Sequence, residues 1–287
     1  MSYRRRASPL HAARAGAGCA YCLALGVAAL LESNPLLLAG VTLAIILAGV
    51  GAAVGRELAR AALLALPLAI AIAFVNALVT RDGLTVIVRL GDLPLLGHTD
   101  ITLEATTYGA ILGLRAFALI LCGALYTLAV DPDEVLRLFR RVSFRSALTA
   151  TLATRMVPVL ARDARRLADA QRTRPGPPPT RRQLLRAASS GMLDRALDVA
   201  AALEVRGYGA ARRPPRRRAP WGRHDLHFLA AALAVLALAA GARGANVAPF
   251  SAYPGLSLSV GWGGAALTIA LLTCALAPFV DRRGVAR

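Results

Sequence analysis

Few residues in this chain have types and spacings that could do chemistry. Cys19-Ala20-Tyr21-Cys22 has the spacing of a redox pair or half of a zinc site, but a closed zinc site needs four ligands. Cys122 and Cys274 stand apart from that pair, and all four cysteines lie in or beside apolar runs, where cysteine behaves as a small hydrophobe. A structural role is expected for each. His224-Asp225-Leu226-His227 offers two imidazoles and a carboxylate where the chain enters an apolar run, and no metal site is expected there either. What remains is arginine, since all 34 basic residues are Arg. Without lysine there is no side chain to serve as the phosphate-reaching residue of a Walker A loop and no amine for a Schiff base. Neither chemistry, nor a bound cofactor, is expected of this chain.

The arginines are concentrated. Residues 131 to 225 hold 21 Arg against 9 Asp plus Glu, so this stretch carries +12 of a net charge of +18. On both sides of it lie apolar segments, and the chain as a whole is 56% hydrophobic with a mean hydropathy of +0.55. That composition is too apolar for an ordinary soluble domain of 287 residues and makes the bilayer the solvent.

A helix of about 20 apolar residues crosses the hydrocarbon core, and that ruler gives candidate spans at roughly 16–32, 36–54, 60–80, 105–129, 226–243 and 259–280. Asn34-Pro35 reads as the turn between the first two, and Gly55 to Arg60 as the loop before the third. The loop 81–104 nets −2, whereas the N-terminus, the 131–225 block and the tail are positive, so the positive-inside rule puts both termini and the block in the cytoplasm. Within 81–104, the alternation from Thr85 to Val88 and a Gly91-Asp92 turn suggest an extracytoplasmic hairpin. The basic start could pass for a signal sequence, but further spans follow at once and a retained first helix is expected. Arg115 is the one charge inside the fourth span and is expected to pair or to serve function. Gly16 to Gly18 and Gly261 to Gly264 read as close helix packing, and Trp262 and Tyr253 as interfacial aromatics.

The charged block is organised. Asp131 can cap a helix that Pro132 begins, with Asp133 and Glu134 in the first turn where the helix dipole favours acids. Val135, Leu138 and Phe139 then share one side of a short amphipathic helix. Leu148, Leu152, Met156, Val159 and Leu160 recur at helical spacing over 144–172, where Pro158 should bend the helix. Leu185, Ala188, Met192, Leu193, Ala196, Leu197, Ala200 and Leu203 give a second stripe over 183–206, stopped by Gly207. Each long helix ends on an Arg followed by a breaker: Gln171-Arg172-Thr173-Arg174-Pro175-Gly176 and Glu204-Val205-Arg206-Gly207-Tyr208.

These two endings, with Asp131-Pro132 and Arg155-Met156-Val157-Pro158, make the chain resemble the transmembrane T component of energy-coupling factor (ECF) transporters, the EcfT/CbiQ type. That family includes the membrane scaffolds of cobalt and biotin importers. The resemblance implies two coupling helices whose Ala-Arg-Gly-like ends enter grooves on two cytoplasmic ATPase subunits. By position the first Arg is Arg174, with Arg172 as a substitute because Thr173 and Pro175 depart from the pattern. The second is Arg206, flanked by Glu204 and Gly207. Asp131, Pro132, Leu138, Arg155 and Pro158 would be structural or coupling positions. The resemblance further implies a separate substrate-binding membrane subunit and uptake of a vitamin or metal ion.

The fold class expected is therefore an all-α integral membrane protein of about six transmembrane helices with a cytoplasmic block of amphipathic coupling helices. Its divisions would be N-terminal spans at 1–130, the coupling region at 131–225 and C-terminal spans at 226–287. In the plasma membrane it would act as a scaffold rather than a catalyst. An intramembrane enzyme or a self-contained permease would need convergent ionisable groups or internal repeats, which the spans do not clearly offer. Nucleic acid is an unfavoured partner, because the basic block lacks interleaved aromatics.

Overall fold

The computed structural model describes residues 3–80, 85–93, 97–139, 144–173, 180–207, 221–245, 247, 249–251, 257–258 and 261–281. The elements in chain order are α1 (Pro9–Ala12), α2 (Ala15–Leu31), α3 (Pro35–Gly51), α4 (Gly55–Val79), β1 (Val86–Leu93), β2 (Gly97–Thr102) and α5 (Leu103–Ala129). Then come α6 (Pro132–Phe139), α7 (Phe144–Arg172), α8 (Arg181–Val205), α9 (Arg223–Gly244), β3 (Phe250–Ser251), β4 (Ser257–Leu258) and α10 (Trp262–Leu276), which a 3-10 turn extends to Phe279. Helices carry the core, and the strands form two small antiparallel hairpins. The chain is thus an all-α membrane protein in its packing. It divides into two compact units, 1–135 with 221–287, and 136–220.

Six apolar helices occupy the six segments that the hydropathy ruler marks. Four, α4, α5, α9 and α10 with its extension, are long and apolar enough to cross a membrane. The other two, α2 and α3, have 17 residues each, about 25 Å of helix and the low end of what spans. Local chemistry sets their limits. Asn34 accepts the Leu36 N–H at 2.9 Å and Pro35 sits at the first helical position of α3, as the Asn-Pro pair suggests.

Two local expectations need correction. The segment 55–60 is not a loop: α4 starts at Gly55, and the turn after α3 is only Ala52 to Val54. Its middle residue, Ala53, takes the left-handed conformation at φ 59°, and Arg6 holds the turn by donating to the Ala53 carbonyl and pairing with Glu57. Arg56, Glu57 and Arg60 are polar because they belong to a helix end, not because the chain leaves the helix. Similarly, Gly91-Asp92 is not the hairpin turn. Both lie in β1 at a register irregularity between Arg89 and Asp92, where a glycine accommodates a bulge. The hairpin itself is present and is fixed to α5, since the Glu104 carboxylate accepts from Thr85 Oγ1 at 2.9 Å and Leu103 N–H donates to Thr85 O at 2.9 Å.

The most extensive helix contact among the described residues is α4 on α5, along a Gly-xxx-Gly motif at Gly109 and Gly113. A Cβ on Gly109 would stand 2.5 Å from the Ala73 carbonyl oxygen, and one on Gly113 would stand 2.6 Å from that of Ala69. Small residues four apart on both helices let the backbones touch, which in a membrane replaces the missing hydrophobic drive with dispersion contact. Gly18 likewise packs closely, under Val130, whereas Gly261 caps α10 and faces no neighbour. On the other side, Tyr21 of α2 meets Phe228 of α9 and Phe279 in edge-on aromatic contacts at 5.2 and 6.1 Å. The Tyr21 hydroxyl donates to Ala275 O at 2.8 Å, so this ring ties three elements without leaving a polar atom unmet.

Gly113→Ala should destabilise the protein in detergent by about 1 to 3 kcal/mol, because the new methyl meets backbone that cannot rotate away. Gly123→Ala on the same helix meets nothing within 4 Å and should be neutral or stabilising by up to about 1 kcal/mol. Thermal unfolding of the two variants side by side measures the difference, and equal midpoints would remove the packing argument.

Candidate functional site

Within the unit 136–220, α7 and α8 are the long elements, and each has a defined end. Thr180 caps α8 by accepting the Gln183 N–H at 3.4 Å, while the Gln183 side chain accepts the Thr180 N–H at 3.0 Å. This reciprocal box fixes where α8 starts, and its Thr-x-x-Gln signature was legible in the sequence. At the other end Arg206 is the cap residue, its N–H donating to Ala202 O at 3.2 Å. Gly207 follows at φ 75°, and its N–H donates to Glu204 O at 2.9 Å. A left-handed residue just past the last turn ends a helix, and glycine adopts it without a Cβ clash. The stop after Arg206 is therefore written into the backbone.

Glu204, Arg206 and Gly207 are all exposed, and Val205 between them is 89% exposed. On α7, Arg172 is the last helical residue and the exposed Thr173 donates its hydroxyl to Ala170 O at 2.9 Å, closing the final turn. Arg174, the first-choice coupling arginine, lies outside the described residues, as does Tyr208. The helix runs on through Pro158, which removes one backbone bond without ending it, and Arg155 and Pro158 are both exposed.

The two helices touch over a short stretch and share a salt bridge, Arg195 Nη1 to Asp163 Oδ2 at 2.6 Å. From Asp163 to Arg172 is about 14 Å of helix, and from Arg195 to Val205 about 15 Å. Both arginine-ended arms thus extend a similar length beyond the contact. The middle of the apolar stripe of α8 is not covered: Met192, Leu193 and Leu197 are 40%, 65% and 63% exposed. Leucines standing free on a helix need a partner surface, protein or lipid. Leu138 on α6 is also exposed.

In the other unit the start of α6 is fastened. Asp131 Oδ1 accepts the Asp133 N–H at 2.9 Å, which is the expected cap, and Glu134 Oε2 accepts the Ala15 N–H at 3.0 Å. The second contact reaches α2, whose own first position, Arg14, has no capping side chain. Asp225 supplies the rest: its carboxylate accepts the Arg14 N–H at 2.7 Å and the Gly222 N–H at 2.9 Å, and lies 3.3 Å from Arg14 Nε. The Arg14 guanidinium also covers Trp221 at 5.5 Å from the ring centre. Two carboxylates from distant positions thus meet the positive end of the α2 dipole. In the sequence Asp225 stands between two histidines like a metal ligand, but its place in the first turn of a helix is the signal for a cap.

The opposite end of α2 receives cations. Arg115 Nη2 donates to Glu32 O and Arg243 Nη1 to Leu31 O, both at 2.8 Å. Arg115 therefore pairs with backbone, the bland alternative for a charge within a span. Beside the Asp131 and Glu134 end lies a cavity of about 150 Å³ lined also by Tyr3, Arg5 and His11. His11 Nδ1 is 2.6 Å from Ser8 Oγ, its Nε2 has no hydrogen-bond partner, and burial holds its pKa below the usual histidine range. Burial, with Asp131 nearby, pushes the Tyr3 phenol up. The cysteines are free thiols; Cys122 Sγ donates to Cys22 O at 3.0 Å, a packing role.

Replacing Asp225 by Ala leaves Arg14 without its carboxylate and orphans two backbone N–H groups. A loss of about 3 to 5 kcal/mol is expected, as for other broken buried pairs, measured as unfolding in detergent. Arg14→Gln keeps the backbone bonds and should cost clearly less; equal losses would make the ion pair, and not the cap, the important contact.

Among known proteins, a family model described as "Cobalt transport protein", CbiQ, matches residues 6–217. That span runs from the N-terminal arginines through both arginine-ended helices. No curated protein matches the chain.

Proposed function

The chain belongs to the CbiQ family of cobalt transport proteins, a membrane component of a transport system, and from that premise we propose that it is the scaffold that couples two cytoplasmic ATPase subunits to a substrate-binding membrane subunit. The observation that carries this reading is the end of α8. Arg206 is exposed on a helix whose termination the left-handed Gly207 fixes, and Leu193 and Leu197 of the same helix lie uncovered. A guanidinium is a planar fork of donors that grips a carboxylate at two points and stays charged, which suits a joint under repeated load. Arg174 would be the counterpart at the end of α7, with Arg172 and Thr173 shaping that turn and Glu204 and Gly207 shaping the second.

In this reading the cargo is a divalent cobalt ion or a vitamin, taken by the partner subunit and not held by this chain. ATP-driven closure of the ATPases would draw the two arginine ends together. The Asp163–Arg195 contact is part-exposed on both sides, and such pairs contribute on the order of 1 kcal/mol or less, so it can slide or reform as the arms move. Movement transmits only if the ends are bound differently in the ATP-loaded and empty states. Asp131, Pro132 and Leu138 would pass the motion to the membrane spans, and Arg155 and Pro158 would be coupling positions along α7, with Pro158 a point where the helix can bend. The charge of the loops supports placing 131–225 and both termini in the cytoplasm of the cell, with the β1–β2 hairpin outside.

Arg206→Glu should weaken recovery of the ATPases in a pull-down by about 2 to 5 kcal/mol in binding, thirtyfold or more, the range for broken charge pairs at interfaces. Arg206→Lys should be intermediate, since it keeps charge and loses the fork. The double variant with Arg174→Glu should insert in the membrane yet give no ATP-driven uptake; undiminished assembly and uptake would reduce both arginines to helix ends. Orientation is tested separately, by single cysteines at Ser190 and Thr99 in a chain lacking its native thiols. An impermeant reagent on intact cells should label position 99 and spare 190, and the reverse pattern would invert the topology.

A further inference from the structure

Between α9 and α10 a groove of about 690 Å³ opens along the helix surfaces. Its walls are small or apolar: Ala230, Ala231 and Ala234 on one side, Cys274, Ala277 and Pro278 on the other. From Arg223, at the first turn of α9, to Ala234 it follows the helix for about 16 Å. A cleft of that length lined by methyl groups is the shape of a slot for a hydrocarbon chain. Helices in a membrane ordinarily meet through matched small residues, so an open cleft between two spans is filled by something apolar.

The mouth says what kind of chain fills it. Arg223 and His227 stand on its rim, with Asp281 across from them at 4.0 Å from His227 Nδ1. Arg223 is exposed, and no ion pair involves it among the described residues. Trp221 lies just before it, 61% exposed, in the manner of an indole at head-group depth. Asp281 faces His227, so the Arg223 guanidinium is a cation at the mouth that no carboxylate among the described residues holds. An arginine without a carboxylate partner at the interface, above an apolar cleft between spans, is the arrangement that recognises an anionic head group.

We propose that this groove binds one anionic phospholipid, with the phosphodiester against Arg223 and the acyl chain laid along Ala230 and Ala234 toward Cys274. The lipid then serves as a wedge that keeps α9 and α10 at their observed separation. Such a site is independent of how the ATPases dock, so the outcome at Arg206 does not bear on it.

The test uses the full chain purified in mild detergent and returned to nanodiscs of phosphatidylcholine with or without phosphatidylglycerol. Phospholipid retained through purification is measured by extraction and mass spectrometry, and the unfolding temperature is read in both discs. The wild-type protein should retain phosphatidylglycerol and be more stable in discs that contain it. Ala234→Phe, which fills the slot, and Arg223→Gln, which removes the rim charge, should each lower retention severalfold and abolish the lipid-dependent shift. Leu233→Phe, on the exposed face of the same helix, should leave both unchanged. If Ala234→Phe does not fold, Arg223→Gln decides the matter on the surface. Equal retention of phosphatidylcholine, or wild-type behaviour of Arg223→Gln, would overturn the proposal. So would loss of a membrane partner in Ala234→Phe with lipid retention intact, which would assign the groove to protein.

Discussion

Every helix leaves four N–H groups and four carbonyls without partners, and in hydrocarbon none of them can turn to water. The rest of this membrane unit depends on how that constraint is met at α2. The helix is short, so both its ends fall near or within the apolar layer, and its own cap position is an arginine that cannot accept a bond. Carboxylates from α6 and α9 close the first end; guanidiniums from α5 and α9 close the second. One helix therefore enlists three others, and α9 meets it at both ends. The arrangement orders elements that lie far apart in sequence, because the pairing Asp225 to Arg14 can form only when α9 lies along α2.

This explains why some of the fold could be read from the chain and some could not. Spans announce themselves through length and hydropathy, and local stops are written in neighbouring residues: Asn34 before Pro35, Asp131 before Pro132, Gly207 after Arg206. Each needs only a few adjacent side chains. The partners of α2 are different in kind, since Glu134 and Asp225 are remote from it and look like ordinary first-turn acids. Arg115 read as a charge in a span, and nothing near it in sequence marks Glu32 O as its acceptor. The start of α4 was obscured because Arg56, Glu57 and Arg60 are polar, although a helix end is as good a place for them as a loop.

The candidate coupling site has the same character. Its terminus is local and therefore legible, down to the conformation of one glycine. Its exposed leucines are a non-local matter: spacing gives a stripe on α8, but spacing cannot tell whether that stripe meets a neighbour in the same chain. In the unit as folded Met192, Leu193 and Leu197 do not. Family membership gives the transport context, and the unfilled face of α8 gives the physical reason to look for another subunit.

The shortness of α2 and α3 also bears on the surrounding lipid. Leu43, Ile46, Leu47 and Val50 put the side of α3 outward, so the bilayer there meets a helix about 5 Å shorter than its usual hydrocarbon thickness. On the α4–α5 side, helices of 25 and 27 residues ask for the full thickness or more. One molecule therefore presents a thin edge and a thick edge to the same membrane. Acyl chains must compress against the first and stretch or permit tilt at the second, at fractions of a kcal/mol for each ångström. Any rocking of the spans changes that mismatch, which makes the bilayer an elastic element in series with the protein, loaded in one tilt and relaxed in another.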